Sequence, residues 1–320
     1  MRQSSTEKQA GAQILFSDMK AIEANSITHR YGQVTAVDDI SFTVNDGEIF
    51  GFIGPDGAGK TTLFRIAATL IIPSGGRMTL FGLNVVSDFR ELRNHIGYMP
   101  GRFSLYQDLT VEENLQFYAT IFGTTIKQNY RLIEPIYRQI EPFKKRRAGQ
   151  LSGGMKQKLA LSCALIHKPR ILILDEPTTG VDAVSRTEFW EMLANLKSEG
   201  ITIIVSTPYM DEALRCDRIA LIQQGRLLGI DTPANIRQSY GKQLMAVTHP
   251  DRYRLLLALR AMQQVISPEP FGDSVHFTIR EGTAPEDVKQ SLEAAGINGA
   301  IITESVPGIE DVFLELMKKV

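Results

Sequence analysis

Gly54-Pro55-Asp56-Gly57-Ala58-Gly59-Lys60-Thr61-Thr62 has the make-up of a phosphate cradle. Gly54, Gly57 and Gly59 let the backbone wrap tightly and turn its N–H groups toward an anion, with Asp56 and Ala58 completing the loop and Thr62 closing the run. Lys60 offers a cation to the outer phosphates of a nucleotide, and the Thr61 hydroxyl is a hard oxygen ligand for Mg²⁺. A second constellation, Ile171-Leu172-Ile173-Leu174-Asp175-Glu176, is an apolar strand ending in two carboxylates. Asp175 suits the Mg²⁺ shell and Glu176 suits polarisation of an attacking water. One acid at a strand end is commonly just solvated. The pair, closed by Pro177 and downstream of a phosphate loop, points to hydrolysis of a phosphoanhydride. Between the two stands Leu151-Ser152-Gly153-Gly154-Met155-Lys156-Gln157. Ser152, Gly153 and Gly154 would cap a helix with small residues, exposing its first N–H groups as an anion site. Taken alone, such a cap is unremarkable.

Each constellation needs elements behind it. Residues 48–53 read as a compact apolar strand entering the loop, and residues 61–70 as the helix leaving it, stopped by Pro73-Ser74-Gly75-Gly76. Residues 171–174 and 201–205 read as buried strands, the second after a helix over 185–197. That alternation indicates a mostly parallel sheet. Upstream, residues 21–44 contain short strand-like pieces before the turn Asn45-Asp46-Gly47. Residues 101–149 read as mainly helical, including 111–122 and 130–140. Lys144-Lys145-Arg146-Arg147 is read there as a solvated helix end rather than a nucleic-acid patch. Past Pro233 the pattern changes to a strand at 243–248, a helix at 252–262, a strand at 274–279, a helix at 285–295 and a strand at 300–306. The last helix carries Ile309, Val312, Phe313, Leu316, Met317 and Val320 on one face. This is a small α+β unit of ferredoxin-like pattern.

A length of 320 residues suggests about two domains. With 43% apolar and 22% charged residues, a disordered, collagen-like or coiled-coil chain is excluded. Thirty-five basic against 36 acidic residues give no global pull toward nucleic acid or anionic membrane. Cys163 and Cys216 are too few for a disulfide framework and fit a reducing compartment. No apolar run reaches the roughly 18 residues of a bilayer span. The polar residues 1–13 lack an apolar signal core and are expected to form a loose arm.

In this order and spacing, residues 54–62, 151–157 and 172–177 closely resemble the motifs of ATP-binding cassette (ABC) transporter ATPases. The resemblance covers about residues 20–233. It implies an α/β fold: a P-loop NTPase cassette with a RecA-like core, an antiparallel β subdomain and a helical subdomain over about 101–165, plus the small α+β C-terminal domain. The expected division is an N-terminal arm at 1–19, the cassette at 20–240 and an accessory domain at 241–320. The resemblance further implies ATP and Mg²⁺ as cofactors, a metal site at Thr61 and Asp175, and catalysis by Glu176 and Lys60. Ser152, Gly153 and Gly154 would face the γ-phosphate of ATP held by the opposite subunit. Tyr31 stands where the family stacks an aromatic ring on adenine, and a packed strand tyrosine fits it equally. Gly180-Val181-Asp182 resembles the D-loop at the dimer interface, and Gly308 to Leu316 looks like the end of drug-exporter-type cassettes. The implied partners are membrane permease subunits and a second cassette, identical or different, with no nucleic acid. The implied location is peripheral, on the cytoplasmic face of the inner membrane.

The sequence departs from the family at three places. Asp56 replaces an asparagine. Gly101 replaces the Q-loop glutamine that normally contacts Mg²⁺, with Gln107 a substitute candidate. Pro208 replaces the switch histidine. Proline has neither a side-chain donor nor a backbone N–H, and losing one donor to a developing anion costs about 10²–10³ in rate. Binding should suffer much less. The pattern resembles the N-terminal half of YbhF-type two-cassette exporters and implies asymmetry: a slow site on this chain's own phosphate loop, and an intact Ser152-Gly153-Gly154 cap serving another cassette. The competing expectations are a non-hydrolytic ATP-binding regulatory subunit and an ABC protein acting on ribosomes or DNA. The latter usually carries two cassettes or long coiled arms, absent from this sequence.

Overall fold

The computed structural model describes residues 20–318, so the expected arm at 1–19 and Val320 lie outside the described residues. Contacts divide the chain into two units, Met1–Pro233 and Ala234–Val320.

The first unit begins with β1 (Lys20–Tyr31), β2 (Val34–Asn45) and β3 (Ile49–Ile53), followed by α1 (Lys60–Ala67). Then come β4 (Gly75–Leu80), β5 (Leu83–Asn84), α2 (Phe89–Leu92), β6 (Ile96–Met99), α3 (Val111–Ile121), α4 (Ile126–Tyr137) and α5 (Gly153–Leu165). It closes with β7 (Ile171–Asp175), α6 (Ala183–Ser198), β8 (Thr202–Thr207), β9 (Arg218–Gln223) and β10 (Arg226–Asp231). One sheet has the order β2-β1-β4-β5 and is antiparallel. The other has the order β10-β9-β3-β8-β7-β6, with only β10 running against its neighbour. β3, β7 and β8 are buried along their whole length, as strands covered on both faces must be. A chain of aromatic rings ties the two sheets to α1. Phe42 meets Phe52 edge-on at 5.0 Å, and Phe52 meets Phe64 edge-on at 5.5 Å.

Several boundaries differ from the sequence reading for local reasons. The helix after the phosphate loop stops at Ala67, because Thr69 turns into the left-handed region at φ 59°. α4 starts four residues before expected, because Thr125 caps it by accepting from the Gln128 amide at 3.2 Å. β1 and β2 are twelve-residue strands rather than short pieces. Register shifts between them interrupt the alternation on which a strand reading depends.

His167 follows α5 and stacks on Phe122, with centroids 3.8 Å apart. Its Nε2 lies 3.0 Å from the Ile96 carbonyl, and its buried Nδ1 has no partner. Burial pushes the imidazole down to about 4, against the hydrogen bond to Ile96. Because the folded value lies below the ordinary 6.5, the stability tied to the neutral ring is complete above that pH. It is lost as the pH falls toward 4. Replacing His167 by Phe should flatten the acid limb: between pH 7 and 4 the parent should lose about 3 kcal/mol more than the variant. Urea unfolding of both chains across that range checks it, and parallel pH profiles would disprove it.

The second unit contains α7 (Pro233–Gln238), β11 (Leu244–Thr248), α8 (Arg252–Ala261), β12 (Val265–Phe271), β13 (Ser274–Ile279), α9 (Pro285–Ala294), β14 (Ile301–Ser305) and α10 (Ile309–Met317). The sheet order is β12-β13-β11-β14 with every neighbour antiparallel, the arrangement of a ferredoxin-like βαββαβ unit. Met245, Leu255, Leu259, Phe277, Val288 and Leu292 form its core. On α10, Asp311 contacts His276 Nδ1 at 2.8 Å through one oxygen and accepts from the Gly308 amide at 2.8 Å through the other, fastening the last helix to β13.

Candidate functional site

The phosphate loop stands at the end of β3, between β8 and β9. A side chain has no room at its first residue, since a Cβ on Gly54 would come 2.1 Å from the Ile222 carbonyl oxygen. Gly59 takes φ 102°, and a Cβ there would meet the Ala36 oxygen at 2.3 Å. Gly57 has open space beside it, and Asp56 is exposed, so the outer side of the loop is accessible. Ala58 is buried and donates its N–H to the Pro55 carbonyl at 3.2 Å. Thr62 is buried within α1.

Lys60 and Thr61 open α1 and meet the carboxylates that end β7. Lys60 is 3% exposed and donates to the Gly54 and Pro55 carbonyls at 2.7 and 2.9 Å. Its ammonium lies 3.4 Å from Glu176 Oε1. The Thr61 hydroxyl donates to Asp175 Oδ1 at 3.1 Å. Glu176 sits at φ 49°, a left-handed conformation for a residue with a side chain. Tyr98 on β6 is pushed up to about 12, first by burial and then by the negative charge of Asp175.

The other expected residues fall around this centre. Tyr31 is 47% exposed and meets His29 edge-on at 4.7 Å. Ser152 caps α5 by accepting from the Met155 amide at 3.4 Å, and both Ser152 and Gly153 are exposed. The near neighbours of this cap are Gly180 and Ser185, where a Cβ on Gly153 or Gly154 would approach to 3.3 and 2.8 Å. The phosphate loop is not among them. Asp182 caps α6 by accepting from the Ser185 amide at 3.0 Å, so the D-loop-like turn runs straight into a helix.

The other two departures, Gly101 and Pro208, also have a place. A Cβ on Gly101 would lie 3.1 Å from the Asp175 carbonyl oxygen, so this loop runs close against the end of β7. Gln107, the substitute candidate, lies beside Gly149, whose amide donates to the Gln107 backbone carbonyl at 2.9 Å. Pro208 follows β8 and is half-buried. Two polar residues of the switch stretch, to which the sequence reading gave no role, also act here. Ser206 donates to Asp175 Oδ1 at 2.7 Å. Buried Glu212 accepts from the Thr207 and Thr178 hydroxyls at 2.6 and 3.1 Å, with Arg186 3.9 Å away. They are the first and last residues of the stretch Ser206 to Glu212 that occupies the switch region. The β7–β8 register and the turn after β8 bring them in.

A parallel sheet with a glycine-rich anion loop, a lysine, a hydroxyl and paired carboxylates at one edge defines a phosphate-loop nucleotide-binding cassette. The ABC transporter family model matches residues 37–179. The probable multidrug ABC transporter ATP-binding protein YbhF of Escherichia coli K12 is 40% identical over 288 residues, covering 88% of this chain and 49% of that protein. This chain therefore spans about half the length of that relative. The Nod factor export ATP-binding protein I of Rhizobium sp. N33 is 36% identical over 300 residues, covering 92% of this chain and 96% of that protein. A solved ATP-binding subunit of an ABC transporter superposes with TM-score 0.63 at 29% identity, covering 69% of this chain and 93% of that one. The chain belongs to the ATP-binding proteins of ABC transporters.

Proposed function

We propose that this chain is the ATP-hydrolysing subunit of an ABC exporter, driving membrane permease subunits through nucleotide-dependent pairing with a second cassette. The observation that carries the reading is the convergence of Lys60, Thr61, Asp175 and Glu176 within 3.4 Å contacts at the ends of β3 and β7. The residues fit Mg-ATP. A hydroxyl and a carboxylate are the hard oxygens that Mg²⁺ takes. The buried ammonium of Lys60 already holds an anion, Glu176, where a phosphate would compete for it. Bound Mg²⁺ would neutralise charge on the phosphates. Lys60 would exchange Glu176 for phosphate, and Glu176, once released, would accept a proton from water.

Gly101 and Pro208 bring no side-chain donor to this centre, so the site hydrolyses slowly, while the exposed cap at Ser152, Gly153 and Gly154 serves the partner's nucleotide. Permease docking fits a cleft of about 480 Å³ lined by Tyr98, Pro100, Phe103, Ile121 and Phe122, with Leu70 and Ile121 exposed at its edge. Among the described residues no helix is long and apolar enough to cross a membrane, so attachment to the cytoplasmic face of the inner membrane would come through these partners. Export as the direction is drawn from relatives named for multidrug transport and Nod factor export. The test is vanadate trapping of labelled nucleotide, with and without a partner cassette. Mg²⁺-dependent trapping that rises with the partner is expected, and no trapping in either case would overturn the proposal.

A further inference from the structure

We propose that Ser206 is a positioning residue that sets both carboxylates of the site, a role that rests on the ATPase reading above. Ser206 is wholly buried on β8, directly opposite Asp175 in the β7–β8 register. Its hydroxyl acts in two directions. It donates to Asp175 Oδ1 at 2.7 Å and accepts from the Glu176 amide at 2.9 Å. The Ser206 carbonyl takes the same amide at 3.1 Å.

These contacts address two separate problems. Glu176 holds φ 49°, a conformation that persists only where the surroundings impose it. Gripping the amide from one residue on the next strand imposes it and so aims the side chain. Asp175 has a different freedom, rotation of its carboxyl group. The Ser206 and Thr61 hydroxyls both take Oδ1, at 2.7 and 3.1 Å, and neither takes Oδ2. That arrangement fixes the group and leaves the second oxygen to face a ligand. One buried hydroxyl therefore ties the orientation of the metal-shell acid to that of the base. The dependence is heavy in this chain, because Gly101 meets the end of β7 without a side chain and Pro208, just past Ser206, adds no donor.

The test compares the full chain with its Ser206→Ala and Ser206→Cys variants by calorimetric titration of ADP, in Mg²⁺ and in EDTA, and by steady-state ATP turnover. Outer-sphere partners of metal ligands are worth about 10–100-fold in metal affinity or activity. Ser206→Ala should keep its EDTA affinity within about twofold, since the phosphate loop is untouched. The affinity gained from Mg²⁺ and kcat should each fall by about tenfold, with KM for ATP little changed. Ser206→Cys keeps the shape but donates only weakly, so it should behave like Ser206→Ala. It also carries the test should Ser206→Ala fail to fold. If Ser206→Ala keeps the parent's Mg²⁺ gain and kcat, or Ser206→Cys retains what Ser206→Ala loses, the inference is overturned. A parent chain that gains nothing from Mg²⁺ would instead defeat the ATPase reading, and this inference with it.

Discussion

Glu176→Gln should lower the chain's ATP turnover by about 10²–10³-fold while leaving nucleotide affinity equal or tighter. The glutamine has nearly the same shape, so the left-handed backbone and the grip of Ser206 on its amide remain. What disappears is the negative charge that, in the proposed mechanism, accepts a proton from water. The same charge lies 3.4 Å from the Lys60 ammonium, so an incoming phosphate would no longer have to displace a carboxylate. Phosphate-release kinetics and calorimetric binding on the two chains separate these effects. Unchanged turnover would place the base elsewhere. A parent chain as fast alone as ordinary paired cassettes, and silenced by Glu176→Gln, would refute the asymmetric assignment.

Pro208→His should have the opposite effect, raising turnover by up to about 10²-fold with ATP affinity changed only slightly. The switch strand is otherwise in order. The Thr207 hydroxyl donates to Glu212 at 2.6 Å and accepts from the Tyr209 amide at 3.0 Å, so the backbone on either side of position 208 is anchored. Histidine there regains a ring donor and a backbone N–H. The readout is the initial rate at saturating Mg-ATP, and a rate no higher than the parent's would show that the missing ring does not limit this site. Gly101→Gln offers no equivalent repair. Its Cβ would stand 3.1 Å from the Asp175 carbonyl oxygen, so the side chain could enter only if this loop and the end of β7 moved apart by a few tenths of an ångström.

What could be read from the chain followed the range of each interaction. Gly54 to Thr62 and Asp175-Glu176 carry their chemistry in consecutive residues, and local geometry suffices to recognise them. The parallel sheet was legible because Ile49 to Ile53, Ile171 to Leu174 and Ile203 to Val205 form short apolar runs. β12 was not legible. Pro268 and Pro270 break a strand pattern, yet β12 lies at the sheet edge, where missing N–H donors are tolerated. The pairing of Ser206 with Asp175 depends on which strands become neighbours, and no local spacing reveals that. The contact of Gln107 with Gly149 is likewise a tertiary fact.

The order of strands has a consequence for how the chain is made. β3 carries the phosphate loop and leaves the ribosome early, but its hydrogen-bonding neighbours are β8 and β9, with Ile49 beside Ile203 and Phe50 beside Arg218. Such distant pairings form slowly and late. Until Gln223 at the end of β9 has emerged, a nascent chain has its glycine loop on a β3 that lacks at least one of its two neighbouring strands. Nucleotide capture during synthesis therefore reports that β3 has gained both flanking strands, and the interval before it leaves strand edges unpaired and open to misassembly.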